Sequence, residues 1–231
     1  MKDYNLTRQV IAIVAIGMLF VIMLFRRLKG KKPVTTKFMT RTAIFAAISI
    51  ILYMVPFLKV KLPFFPSFLE LHFDEIPLLI AAFAYGPWSG IFALILKTIV
   101  KLPISSTMCV GELADFIYSL ALILPASIIY KKNRNFKGVF IALGVGTLSQ
   151  LLVSSFVTTF LILDFYMFMM NFPKAAIMSA IHNAGINIDT LEWPFFFAVA
   201  LPFNAFKDAI VVIVTLLLYK RIHVFVEKVT D

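Results

Sequence analysis

The chain has 231 residues, of which 61% are apolar and only 15% charged, with 25 phenylalanines and a net charge of +10. Such a composition excludes a soluble domain, and the basic residues sit at the ends of apolar segments, so the charge reads as membrane topology and not as a nucleic-acid surface. The single cysteine, Cys109, excludes an intramolecular disulfide framework and a cysteine zinc cage; it is expected as a small helix-packing residue.

Hydrocarbon offers no water to backbone amides, so spans must be helices or closed barrels. The apolar runs lack the alternation of barrel strands, and the expected class is an all-α integral membrane protein. The first span is 10–25, followed by the basic residues Arg26, Arg27, Lys29, Lys31, Lys32, Lys37 and Arg41. A basic cluster after the apolar run is the order of a retained anchor and not of a cleaved signal peptide. Further spans are expected at 42–57, 76–85, 88–100, 111–130, 139–163 and 193–219. Two more basic groups, Lys131, Lys132, Arg134 and Lys137, then Lys220, Arg221 and Lys228, belong with the first on the cytoplasmic side. That parity puts the N-terminus outside and the C-terminus inside, with a domain of one extra helix and basic linker (1–41) ahead of a six-helix domain (42–231). Several spans fall short of the ~20 residues of a perpendicular crossing. Residues 76–100, broken by Gly86-Pro87, also fit a re-entrant hairpin.

The connection 58–75 is proline- and aromatic-rich, and proline resists helix, so an ordered exterior loop is expected. Its Phe64, Phe65 and Phe68 fit either a lid or an interfacial aromatic belt. Asp74 and Glu75 precede Pro77, a helix-start pattern that assigns Asp74 to capping. Glu112 and Asp115 lie three residues apart, nearly on one helix face. They fit ligand contacts, or capping for Glu112 and pairing with Lys97 or Lys101, with Asp115 the deeper of the two.

In the last apolar run, Asn204 and Lys207 share a face and Asp208 points about 100° away, after Pro202 has loosened the backbone. Ionisable groups at bilayer depth cost at least ~2.5 kcal/mol each and normally face a cavity, partner or ligand. The alternatives for Lys207 are a ligand contact or an internal ion pair with Asp208 or Asp115. Thr158 and Thr159 fit a cavity or simple backbone bonding. No metalloprotease, serine-hydrolase or Walker-type motif occurs, and His72, His182 and His223 form no ligand cluster, so neither an enzyme nor a metal site is expected.

Three stretches, LPFFPSFLELHFDEIPLLIAAFAYGPWSGIFALILKTIVKL, GELADF with LPASIIYKK, and PFNAFKDAIVVIVTLLLYKR, occur in one order and spacing over residues 42–221. In this they resemble the substrate-binding S components of energy-coupling factor (ECF) vitamin transporters, the riboflavin-specific ones in particular. The resemblance implies six core helices enclosing a vitamin near the exterior, with the loop after the first core helix closing over it through Phe68, Glu70 and Leu71. It implies that Asn204 and Lys207, matching a PFN-x-x-K motif, bond the polar edges of riboflavin. Asp115 and Thr158 stand at ligand positions where asparagine is usual. Ala43 and Ala47 resemble an Ala-x-x-x-Ala face that meets the transmembrane coupling subunit, although small residues at that spacing also serve ordinary helix packing. Two ATPase subunits, the lipid bilayer and a transported vitamin complete the implied partners, with no cofactor. The same architecture for another vitamin or aromatic metabolite, or a stand-alone secondary transporter, are the alternatives.

Overall fold

The computed structural model describes residues 35–55 and 59–230, with side chains to 219. The expected first span at 10–25 and its basic linker lie outside the described residues, apart from the linker's last few positions.

Helix α1 (Thr36–Met54) begins six residues before the expected span, because Lys37 and Arg41 at its start can reach water from a helix end. It stops just before Pro56, which disfavours helix in the residue preceding it. Residues Lys59 to Asp74 form a loop closed by a single antiparallel bridge, in which Val60 and Leu71 exchange backbone bonds of 3.2 and 2.9 Å. Helix α2 (Glu75–Tyr85) and helix α3 (Pro87–Lys101) meet at Gly86, whose φ of 96° lies in the left-handed region that glycine tolerates. A short 3₁₀ turn (Leu102–Ile104) follows, then helix α4 (Val110–Lys132).

Helix α5 (Phe136–Met169) runs past the expected end at 163 and contains a π-helical turn, Thr158–Ile162. A second π turn, Phe196–Ala200, lies between Trp193–Phe195 and Leu201–Thr230 in the last helix, α7, and the two π turns contact each other. Each inserts a residue into the helix and re-aims the side chains beyond it, a device frequent at functional sites. The region between α5 and α7, expected as a plain exterior loop, contains helix α6 (Lys174–Asn183). Ile177 and Ile181 make its buried stripe against Leu163, Phe195 and Val199.

The bundle is all-helical among the described residues apart from that bridge. Among the described residues, five helices are long and apolar enough to cross a membrane, and the short apolar α2 makes a sixth segment. α2 lies at the centre: Glu75 to Ala84 are all buried. Its Leu78, Leu79, Ala82 and Phe83 meet Leu94 of α3, Ile123 of α4, Leu143 of α5 and Val211 of α7 in the main core cluster. α4 and α5 pack most closely, at Gly146, where an added Cβ would stand 2.7 Å from the Leu122 carbonyl oxygen. Cys109, expected as a small helix-packing residue, lies at a helix start. It is the residue before α4, with a left-handed φ of 68°, and its thiol faces the Leu102 carbonyl oxygen at 3.6 Å.

Candidate functional site

At the end of the bundle that carries the 59–74 loop, charged side chains from four helices turn inward. Asp74, immediately before α2, makes no capping bond, which corrects the expectation from its position. Its carboxylate instead takes the ammonium of Lys97 from α3. Lys97, 1% exposed, also bonds Asp115 of α4 at 2.7 Å, so one ammonium holds two carboxylates. The Tyr53 ring stands 4.7 Å from the same nitrogen and 3.8 Å from that of Lys101. Of the alternatives for Asp115, the pair with Lys97 is the one formed here. Glu112 does not cap α4 through its backbone amides. It accepts from the hydroxyls of Ser105 at 2.5 Å and Thr107 at 2.8 Å, tying down the turn before the helix.

A second group centres on Glu75, whose Oε1 accepts from Lys207 of α7 at 3.2 Å, Gln150 of α5 at 2.6 Å and Ser119 of α4 at 3.3 Å. Lys207 therefore pairs with neither acid considered for it, but with one 132 residues away. Asn204, one turn earlier on the same face, donates to the Ser155 hydroxyl at 3.2 Å. Thr158, opening the π turn of α5, shares a hydrogen bond of 2.9 Å with the Tyr118 hydroxyl. Thr159 donates back to the Ser155 carbonyl, the local bonding open to an intramembrane threonine. Asn204, Lys207, Asp115 and Thr158 thus come from three helices, each with a polar partner on a neighbouring element.

The loop lies against this end through aromatic rings: Phe65 meets Phe203 at 5.3 Å and Phe64 meets Phe206 at 6.0 Å, both partners on α7. Leu71 is 1% exposed, whereas Phe68 is 39% exposed. Glu70 takes Lys59 and Lys61, each at 3.4 Å. Burial would raise its carboxyl, but the two lysines outweigh that and hold it below the ordinary value. His72, against the Tyr53 ring at 4.8 Å, is pushed down to about 4 by burial, so it is neutral at neutral pH. An open cleft of about 480 Å³ separates the loop from α6, lined by Leu62, Pro63, Phe65, Ala176, Ser179 and Asn183 among others.

Ala43 and Ala47 are exposed on the outer face of α1, one residue round from the buried Ala46. They do not pack the core of this chain. Among the described residues, no group of three or more His, Cys, Asp or Glu side chains is placed to hold a metal ion.

A family model described as "ECF transporter, substrate-specific component" matches residues 37–219. The chain belongs to that family. As an S component it is a multi-pass membrane protein with a transport role, not an enzyme. It is 28% identical over 203 residues to "Riboflavin transporter RibU" of Staphylococcus aureus (strain TCH60), covering 87% of this chain and all of that protein. It is 27% identical over 191 residues to "Riboflavin transporter FmnP" of Bacillus subtilis (strain 168), covering 81% and 94%. A solved structure titled "Structure and mechanism of the S component of a bacterial ECF transporter" aligns with a TM-score of 0.62 at 29% identity, over 82% of this chain and 96% of that one. The S-component fold therefore stands as expected.

The residues that sequence reasoning assigned to other roles or passed over are Asp74, Glu75 and Gln150, with Lys97 seen only as a possible partner. A signal was present: Lys97 interrupts ILKTIV as Lys207 interrupts its own apolar run, and the cost of a charge at bilayer depth applies equally to both.

Proposed function

We propose that this S component binds riboflavin, or a closely related flavin, from the exterior and delivers it through an ECF importer with a transmembrane coupling subunit and two ATPases. In this reading residues 42–231 are the transport domain and 1–41 add an anchor and a basic linker. The N-terminus is outside and the C-terminus inside, as the basic clusters require. The observation that carries the reading is the juxtaposition of Asn204 and Lys207 on α7, at the end of the bundle roofed by the 59–74 loop. The two relatives named as riboflavin transporters support the choice of vitamin.

A flavin presents a flat aromatic system and a polyhydroxyl chain, and such a ligand suits apolar walls with a few placed polar groups. Lys207 has three N–H donors, and Glu75 is its acceptor among the described residues. Ribityl hydroxyls or flavin carbonyls can accept from the remaining two without breaking that pair. Asn204 supplies both a donor and an acceptor, and Asp115 and Thr158 are nearby polar positions. Phe68, Glu70 and Leu71 belong to the covering loop. Phe68 is partly exposed, as a residue of a covering loop is before a ligand buries it. Riboflavin fluorescence in membrane vesicles tests the assignment: quenching is expected when riboflavin is added to right-side-out vesicles and not to sealed inverted ones. Absence of quenching on both sides overturns the vitamin assignment, and quenching only in inverted vesicles overturns the orientation.

The coupling subunit is proposed to meet the outer face of α1. Replacing Ala43 and Ala47 together by leucine is expected to abolish ATP-driven uptake while leaving riboflavin affinity unchanged, because neither side chain enters the core. Uptake at the wild-type rate by that variant, or uptake by this chain alone without ATPases, would sink the proposed partnership.

A further inference from the structure

The acid that follows Lys207 is used by none of the contacts above. Asp208 is 1% exposed, and neither carboxylate oxygen has a hydrogen-bond partner among the described residues. The charges that reach it are Lys207, beside it on α7, and Glu75 of α2. Lys207 is itself engaged by Glu75 at 3.2 Å and forms no ion pair with Asp208 among the described residues. Oε2 of Glu75 and Oε1 of Gln150 are likewise buried without a hydrogen-bond partner among the described residues, while the other arms of those two side chains bond each other at 2.6 Å. α7 packs on both α2 and α5, which carry Glu75 and Gln150. α5 brings the neutral Gln150 to the group, and α4 brings Ser119, which donates to Glu75.

An ionised carboxylate with no donor is severely penalised in such surroundings, and a bound proton removes that penalty. We propose that Asp208 holds a proton while Glu75 stays ionised and paired with Lys207, so that the Glu75–Lys207–Asp208 group is electrically neutral inside the membrane domain. The site is a proton-binding one in the vitamin-free protein and does not depend on which vitamin binds. Intramembrane carboxylates of this kind serve proton relays in other transporters. Here the proton sits next to the lysine proposed to hold the ligand, so ligand affinity inherits a dependence on pH.

Infrared spectroscopy of the purified full chain, free of vitamin, reads the proton directly. At neutral pH a carbonyl band of a protonated carboxylic acid is expected, shifted by deuterium exchange and lost in Asp208→Asn. The linked thermal measurement has a fixed sign. The folded state holds a proton that the unfolded state releases, so the melting temperature of the wild type falls as pH rises from about 5 to about 8, and Asp208→Asn flattens that slope. If Asp208→Asn does not fold, Asp208→Glu keeps the acid and should move the band without abolishing it. A wild-type spectrum without a protonated carboxyl band overturns the proposal, as does a band indifferent to both substitutions. Stabilisation by Na⁺ over choline at neutral pH with no acid band also overturns it, by assigning the oxygens to a metal cation.

Discussion

Lys207→Ala is expected to do two separable things: destabilise the vitamin-free protein by about 3–5 kcal/mol and weaken vitamin binding roughly 10- to 150-fold. The first effect follows from Glu75, a fully buried acid that loses its ammonium and keeps only the neutral donors of Gln150 and Ser119. The second follows from the loss of a charge-assisted hydrogen bond of about 1.5–3 kcal/mol to the ligand. A second substitution separates them. In Lys207→Ala/Glu75→Gln the orphaned charge is gone, so the melting temperature should recover while the affinity does not. Recovery of both in the double variant would make Lys207 a structural ion-pair partner and remove it from the ligand site. Asn204→Ala should lower affinity less, because its hydrogen bonds are neutral.

Lys97→Ala carries the larger stability cost. Its ammonium is the common partner of Asp74 and Asp115, and without it two carboxylates face each other in a site that holds no other ammonium bonded to them among the described residues. Breaking one buried pair costs about 3–5 kcal/mol, and the like-charge contact adds to that, so little folded protein is expected in a thermal scan of the purified variant. Replacing the whole group by neutral residues of similar shape, Lys97→Met with Asp74→Asn and Asp115→Asn, should restore folding. A single Lys97→Ala variant with the wild-type melting temperature would show that this triad contributes nothing to stability.

These two lysines also mark what the sequence disclosed. Apolar runs and basic clusters foretold the bundle well, because burial in lipid is written into every residue of a span. The polar face of Asn204 and Lys207 was legible for the same reason, as an interruption of one run. Their partners were not, since Glu75 and Lys207 are joined across the whole bundle and sequence spacing says nothing of which helices will touch. Asp74 was misjudged because its position before α2 suits a cap, and a local rule lost to a buried cation 23 residues away. Helix α6 escaped notice because it is short and half-exposed. Its signals were Pro173 just before the first turn and the Ile177–Ile181 spacing.

Helix α2 has a bearing on how the protein is made. Eleven residues give about 16 Å of helix, little more than half of a ~30 Å hydrocarbon layer. With its residues from Glu75 to Ala84 buried by neighbouring helices, lipid is not its solvent in the finished protein. As the chain leaves the ribosome, α2 emerges with two acids at its head; the cation for Asp74 arrives with α3, but that for Glu75 arrives only with α7. A nascent chain that has not yet delivered α7 therefore holds an uncompensated carboxylate where the bilayer would be. Final seating of α2 is therefore expected to follow the insertion of α7, which carries the ammonium that Glu75 bonds.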